Sequence, residues 1–116
     1  MKSDIQYLVE ISNKVGINTS YVQGGGGNTS VKIKDNLMAI KASGYLLKNM
    51  NSKNGFAFVN HNEIFKIIKN QKILKFSEDD LDNFIKDKVI KIDGFTESKP
   101  SIETGFHALL PHKFVC

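Results

Sequence analysis

The chain has 116 residues, of which 41% are hydrophobic and 24% charged, and its formal net charge is +4. That length accommodates one domain with a modest core, and that composition excludes an intrinsically disordered chain. The lysines are spread along the sequence without an aromatic and basic stripe, which argues against a nucleic-acid-binding protein.

A single cysteine, Cys116, excludes a disulfide framework within the chain and favours a reducing compartment. No apolar run approaches the ~20 residues that are needed to span a bilayer. The N-terminal residues lack the apolar core of a secretory signal and include Asp4. We therefore expect a cytoplasmic protein that has no membrane partner.

The first predicted element is a helix that follows Ser3, a residue type that caps helix N-termini. Ile5 and Leu8 begin an apolar stripe with helical spacing that continues to Val15, and Gly16 is a natural end. We expect this helix to pack its apolar stripe on a sheet.

A β-hairpin is predicted next, with a glycine-rich loop at its entrance. Apolar residues alternate with polar ones on both sides of that loop, at 21–22 and again at Val31 and Ile33. Asp35-Asn36 is a turn signal, and residues 37–40 read as the returning strand.

The second half of the chain contains helices and short strands in alternation. Asn60 or Asn62 is expected to cap the first of these helices, and Leu81, Phe84 and Ile85 share one face of the second. In chain order, the predictions are a strand over 55–59, a helix over 63–68, a helix capped by Ser77, a polar loop over 93–99, a helix over 100–110 and the start of a strand over 114–116.

Four consecutive glycines at 24–27 cost backbone entropy, so they need a reason. Glycine lets successive N–H groups form a concave site for an anion, and residues 28–30 add an amide and two hydroxyls as side-chain donors. Lys32 and Lys41 supply positive charge nearby. A flexible hairpin turn explains a bare glycine run about equally well. The spacing fits neither a Walker A loop nor a dinucleotide-binding fingerprint.

A second segment of interest surrounds Glu103. Pro100 and Ser101 are typical of a helix start, Glu103 falls in the first turn, and His107 lies one turn further on the same face. The alternative is an ordinary helix start without a catalytic role. In that case an exposed Glu103 stabilises the helix through its favourable interaction with the helix dipole, and His107 is a partly buried packing residue. We expect the apolar residues of this helix to bury on its opposite side, namely Ile102, Phe106, Leu109 and Leu110.

Taken together, the segments 27–30, 41–44 and 100–107 resemble the class II (metal-dependent) aldolase family. They read Gly-Asn-Thr-Ser, Lys-Ala-Ser-Gly and Pro-Ser-Ile-Glu-Thr-Gly-Phe-His. That family includes fuculose-phosphate and rhamnulose-phosphate aldolases, ribulose-phosphate 4-epimerase and the adducin head domain. The resemblance implies an α/β fold with α/β/α layers and a mostly antiparallel sheet, in which residues 1–116 form the N-terminal portion of a single class II aldolase/adducin-like domain.

The resemblance also implies site residues. Glu103 corresponds to the catalytic general acid/base, and His107 matches a supporting position. The positions implied for the substrate phosphate are Gly27, Asn28, Ser43, Gly44 and Ser101.

A metal site is expected outside this chain. The family's zinc, or another divalent metal, is held by histidines that begin with a His-x-His pair on the strand after the signature helix. We expect that pair directly after Cys116, so we assign no metal ligand here and expect the metal in a longer protein. We interpret His61 as an ordinary polar residue before a surface helix and His112 as exposed.

The function implied by the resemblance is retro-aldol cleavage of a phosphorylated sugar by a homotetramer. Epimerases and dehydratases use the same scaffold, and the residues present do not separate them. A non-catalytic phosphate- or sugar-binding module and an adducin-like interaction domain are two further hypotheses for the function.

Overall fold

The computed structural model describes residues 1–18, 27–70, 77–101 and 103–116. The predicted apolar strand at 21–22 and the glycines at 24–26 lie outside these residues. The helices are α1 (Lys2–Ile17), α2 (His61–Lys69), α3 (Glu78–Asp87) and α4 (Thr104–Leu109), with one 3-10 turn at Leu47–Asn49. The strands are β1 (Ser30–Lys34), β2 (Leu37–Lys41), β3 (Phe56–Val59), β4 (Val89–Ile90) and β5 (Phe114–Val115).

The five strands form one antiparallel sheet in the order β4-β3-β2-β1-β5. The predicted hairpin is β1 and β2, and the last strand of the chain pairs with β1 rather than with its neighbour in sequence. Because side chains alternate across a strand, the sheet presents two apolar faces.

Each face of the sheet carries helices. On one face, Ile5 and Leu8 of α1 pack with Val31, Ala39 and Phe58 of the strands. The other face carries α2, α3 and α4, which form a second core with the strands from Met38, Ile40, Val59, Ile64, Ile85 and Ala108. This arrangement confirms the expected α/β/α layers and mostly antiparallel sheet.

Two of the predicted helix caps are confirmed. Asn60 accepts a hydrogen bond at Oδ1 from the N–H of Glu63, and Ser77 forms a capping box with Asp80. These caps are local in sequence, which is why the residue pattern identifies them.

The prediction for the first helix is wrong at both ends. The N-cap is Met1 rather than Ser3, and the helix passes through Gly16 to Ile17. A Cβ atom at Gly16 would lie 2.5 Å from the backbone nitrogen of Lys48 and 2.8 Å from Cβ of Leu47. Gly16 therefore permits a close approach to the 3-10 turn instead of ending the helix.

The predicted polar loop at 93–99 contains an apolar anchor. The ring of Phe95 makes edge contacts with Phe56 and Phe58, at centroid distances of 5.7 and 5.0 Å. Strand β4, immediately before the loop, was not expected from the sequence. This aromatic cluster holds the loop that leads to Pro100 against the sheet.

The last helix is shorter and rotated relative to the prediction. It begins at Thr104, and Glu103 occupies the N-cap position instead of the first turn. Phe106 is 73% exposed, whereas His107 and Ala108 are buried. The expected burial of Phe106, Leu109 and Leu110 is therefore wrong, because the buried histidine and not these side chains is turned toward the sheet. Ile102, the fourth residue of the expected apolar face, lies outside the described residues. Among the described residues, no helix is long and apolar enough to cross a membrane.

His61 is buried at the first turn of α2, contrary to its interpretation as an ordinary surface residue. Its Nδ1 has no hydrogen-bond partner among the described residues. Burial is the main cause that lowers the pKa of His61, Lys32 lowers it further, and Asp35 acts in the opposite direction. The folded protein therefore favours the neutral imidazole.

The first prediction concerns the close contact of α1. Gly16→Ala should destabilise the fold by about 1–3 kcal/mol, because the added methyl group meets backbone atoms, although alanine favours an isolated helix. Urea unfolding measures this difference. Lys14→Ala on the exposed face of α1 is the control. Stabilisation by Gly16→Ala would contradict the close contact.

The second prediction concerns acid stability. Since the pKa of His61 is lowered on folding, the unfolded chain binds the proton more readily. The free energy of unfolding should therefore fall as the pH drops below about 6.5, the ordinary histidine pKa. His61→Gln should reduce this fall between pH 7 and pH 5, as measured by urea unfolding. The same change at the exposed His112 is the control, and equal effects of both variants would contradict the role of burial.

Candidate functional site

Three remote segments meet at one end of the sheet, where β1 begins and β2 ends. The backbone N–H of Lys41 donates to the carbonyl of Thr29 at 3.0 Å, and the carbonyl of Lys41 accepts from the N–H of Ser101 at 3.1 Å. The N–H of Ser43 donates to the carbonyl of Lys99 at 2.8 Å. These bonds place the three predicted motifs side by side.

The first motif enters this end through Gly27 and Asn28. Gly27 has a φ of 90°, a left-handed conformation that favours glycine. The side-chain Oδ1 of Asn28 is buried and has no hydrogen-bond partner among the described residues. A buried amide oxygen without a partner is costly, so Asn28 is a candidate for contact with a ligand.

The next two residues of that motif do not serve as free donors, contrary to the expectation for residues 28–30. Thr29 Oγ1 lies 2.7 Å from Ser12 Oγ of α1, and Ser30 Oγ lies 2.6 Å from Nδ1 of His107. All four side chains are buried. Because successive strand residues point to opposite faces, the two hydroxyls bind the two helical layers instead of an anion.

The second motif forms an open turn after β2. Gly44 has a φ of 76°, and a Cβ atom placed there would meet nothing within 4 Å. Ser43 is exposed, but its backbone N–H is already bonded to Lys99. The hydroxyl of Ser43 and the space beside Gly44 are therefore accessible, whereas the Ser43 amide is not.

Lys41 lies behind this turn rather than in it. Its side chain is buried, and Nζ donates to the carbonyl oxygens of Ala42 at 3.0 Å and Tyr45 at 2.6 Å. Burial lowers the pKa of Lys41, and the negative charge of Glu103 opposes that effect. The ammonium group therefore stabilises the turn around Ser43 and adds positive charge next to it.

The third motif forms a turn before α4. Ser101 is buried, and its Oγ accepts a hydrogen bond from the N–H of Glu103 at 3.2 Å. Its carbonyl accepts from the N–H and the hydroxyl of Thr104. These bonds explain why the helix begins later than predicted. A contact of Ser101 with phosphate stays a prediction.

Glu103 itself is exposed and is joined to His107 by a backbone hydrogen bond of 3.2 Å. Burial is the main cause that lowers the pKa of His107; Glu103 raises it and Lys32 lowers it. The spacing of four residues identified this pair in the sequence. It could not identify Ser30, because that contact depends on how α4 packs on β1.

A cavity of about 210 Å³ brings the first and third motifs together. The polar part of its wall is formed by Asn28, Glu103 and His107. The apolar part is formed mainly by Phe106, Leu110 and Val115. A carboxylate and an amide that face the same space can bind a small polyhydroxylated molecule and exchange a proton with it.

The other predicted phosphate residues do not line this cavity. Gly27, Ser43, Gly44 and Ser101 belong to the adjoining segments instead. A larger cavity of about 560 Å³ lies between the start of α1 and the loop at Phe95, but it contains none of the predicted site residues. The candidate site is therefore identified by the residues that line its cavity and not by the cavity volume.

The residues of the site do not fit a resident metal ion. Among the described residues, no group of three or more histidine, cysteine, aspartate or glutamate side chains could hold one. Cys116 lies at the rim of the cavity and is exposed, and His112 is exposed as expected.

Comparison with known proteins gives a matching family model and a similar solved structure. Residues 6–114 match the family model described as the Class II Aldolase and Adducin N-terminal domain. The chain is similar to a solved structure of the N-terminal class II aldolase domain of a conserved protein from Thermoplasma acidophilum, with 30% identity and a TM-score of 0.78. The match covers 98% of this chain and 54% of that one, so the chain spans about half its length.

The comparison with curated proteins gives no match. The family model nevertheless covers nearly the whole chain, and the solved structure has the same fold. Both findings confirm the resemblance seen in the three motifs. The chain therefore belongs to the class II aldolase and adducin N-terminal domain family.

Proposed function

We propose that this domain acts in the metal-dependent aldol cleavage of a phosphorylated sugar. In this proposal it holds the phosphate end of the substrate and supplies the acid/base group. The observation that carries the proposal is the cavity shared by Asn28 and Glu103, in which Oδ1 of Asn28 has no partner among the described residues. That oxygen is an acceptor, so it would bind a hydroxyl group of the substrate, and the phosphate would take the Nδ2 donor.

The phosphate end of the substrate is assigned to the segments around Gly27 and Gly44. Both glycines have positive φ values, and the space beside Gly44 is open. The exposed hydroxyl of Ser43 and the amide of Asn28 offer donors, and the buried ammonium of Lys41 lies behind the turn. Donors backed by a positive charge are what a phosphate ester requires.

Glu103 is assigned to proton transfer at the other end of the substrate. In a retro-aldol step, its carboxylate would accept the proton of the hydroxyl group on the carbon that leaves as an aldehyde. The bonding electrons of the broken C–C bond would then remain on the carbonyl-bearing fragment as an enediolate. The protonated Glu103 would return a proton to that fragment, so the carboxylate is regenerated.

The proposed metal dependence does not rest on ligands among the described residues. Members of this family are typically metal-dependent, but the described side chains do not supply a ligand set. In the whole protein, the ligands would come from residues outside the described part of this chain.

A non-catalytic sugar-phosphate-binding module is the second candidate. It is favoured by the lack of a metal-ligand group among the described residues, together with a formed cavity. Epimerase or dehydratase activity would use the same phosphate-binding and proton-transfer groups. We also propose a cytoplasmic location and a homotetramer. The exposed apolar side chains of Phe106 and Phe114 support self-association.

The third prediction tests the phosphate end. Asn28→Ala should weaken the binding of dihydroxyacetone phosphate by about tenfold, because it removes both hydrogen-bonding atoms of the amide. Isothermal titration calorimetry on the 116-residue chain measures the affinity. Asn83→Ala, an exposed amide on α3, is the control. An unchanged affinity of Asn28→Ala would remove Asn28 from the site.

The fourth prediction tests proton transfer. In the native protein supplied with its divalent metal, Glu103→Gln should lower kcat for cleavage of a phosphorylated ketose by about a hundredfold or more. The affinity for dihydroxyacetone phosphate should change little, because the amide has nearly the same shape. Glu10→Gln on the exposed face of α1 is the control. Unchanged turnover would exclude Glu103 as the acid/base. Phosphate-ester binding without turnover in the native protein would favour the binding module.

A further inference from the structure

A buried hydrogen bond directly joins the two halves of the site. Ser30 Oγ lies 2.6 Å from Nδ1 of His107, although the residues are 77 positions apart in the chain. Ser30 follows Asn28 by two residues, and His107 follows Glu103 by four. The contact therefore connects the start of β1 to the helix that follows the proposed acid/base.

The environment makes this contact a strong constraint. Ser30 and His107 are 1% and 4% exposed, so bulk water cannot replace either partner. A serine hydroxyl both donates and accepts, which allows it to pair with either tautomer of the imidazole. Removal of one partner would leave the other polar atom buried and unpaired, which is the costly case.

The constraint continues from His107 to Glu103. The backbone N–H of His107 donates to the carbonyl of Glu103. Lys32, which shares a strand face with Ser30, donates from Nζ to the carbonyl oxygens of His107 and His112, each at 2.9 Å. Two neighbouring side chains of β1 therefore fix both the ring and the backbone of α4.

The start of β1 is also held from the other face of the sheet. Thr29, between Asn28 and Ser30, bonds through its hydroxyl to Ser12 of α1. Asn28 therefore directly precedes two residues, Thr29 and Ser30, that are hydrogen-bonded to the helical layers on the two faces of the sheet. Of these two anchors, Ser30 is the one that connects Asn28 to the layer that carries Glu103.

We propose that Ser30 and His107 are positioning residues that set the separation of Asn28 and Glu103 across the cavity. The inference rests on the proposed function, because this separation matters only to a ligand that contacts both residues. His107 lines the cavity as well, but its Nδ1 is already bonded to Ser30. Its role here is to hold Glu103 in place through α4.

Matched variants separate positioning from general packing. His107→Asn keeps a polar atom at the place of Nδ1, whereas His107→Gln carries its amide one bond further out. Ser30→Ala removes the hydroxyl with the loss of a single atom. Each variant is compared with the unsubstituted 116-residue chain for binding of inorganic phosphate, which contacts only one end of the site, and of dihydroxyacetone phosphate, which reaches both ends.

Positioning predicts a difference between the two ligands. Ser30→Ala and His107→Gln should weaken the binding of dihydroxyacetone phosphate about tenfold but that of inorganic phosphate less than about twofold. His107→Asn should retain most of the affinity for both ligands. Equal losses for both ligands, or equal effects of His107→Asn and His107→Gln, would show a packing role and overturn the inference.

A measurement without ligand keeps the inference separate from the proposed function. Amide hydrogen exchange should accelerate at His107 in Ser30→Ala and at Lys41, whose N–H donates to the carbonyl of Thr29, in His107→Gln, with a smaller effect in His107→Asn. If the unsubstituted chain binds neither ligand, the proposed function fails and this measurement alone decides the inference. Exchange that changes only in the substituted segment would overturn it.

Discussion

The backbone of Lys41 is the junction on which the site depends. Its N–H is bonded to Thr29 and its carbonyl to Ser101, so one residue joins the segments before β1, after β2 and before α4. Backbone polar groups at a buried sheet end must find partners. Here the backbone groups of the three segments bond to one another, and the side chain of Lys41 donates to two further carbonyls in the turn after β2. The relative placement of the three motifs is thus a consequence of backbone hydrogen bonding.

The parts of the fold that could be predicted are those determined by nearby residues. The caps at Asn60 and Ser77 and the β1–β2 hairpin follow from local spacing and turn chemistry. The prediction that Gly16 ends α1 was wrong. A glycine is needed there because the helix comes close to Leu47 and Lys48, which are remote in the chain. The orientation of α4 was also wrong, since a helix of six residues has too few positions to define an apolar face.

The roles predicted for the site residues stay predictions, and the contacts among these residues could not be predicted from the sequence. The family motifs identified Asn28 and Glu103, and the structure places both beside one cavity. They did not indicate that the hydroxyl groups of Thr29 and Ser30 would already be hydrogen-bonded to α1 and α4. That outcome depends on strand alternation together with helix packing, which no short segment encodes. The burial of His61 has the same origin, because it follows from the packing of α2 on the sheet.

The sheet order has a consequence for how this chain acquires its site during folding. The β1–β2 hairpin needs only a two-residue turn, whereas β5 must return across most of the chain to pair with β1. Closing so long a loop is entropically costly, and non-local pairing is slow. The cavity includes Val115 of β5 and residues of α4, so it is completed only when the end of the chain docks. A partly folded chain can therefore contain the hairpin without this cavity, and any ligand that binds the cavity would stabilise only the closed sheet.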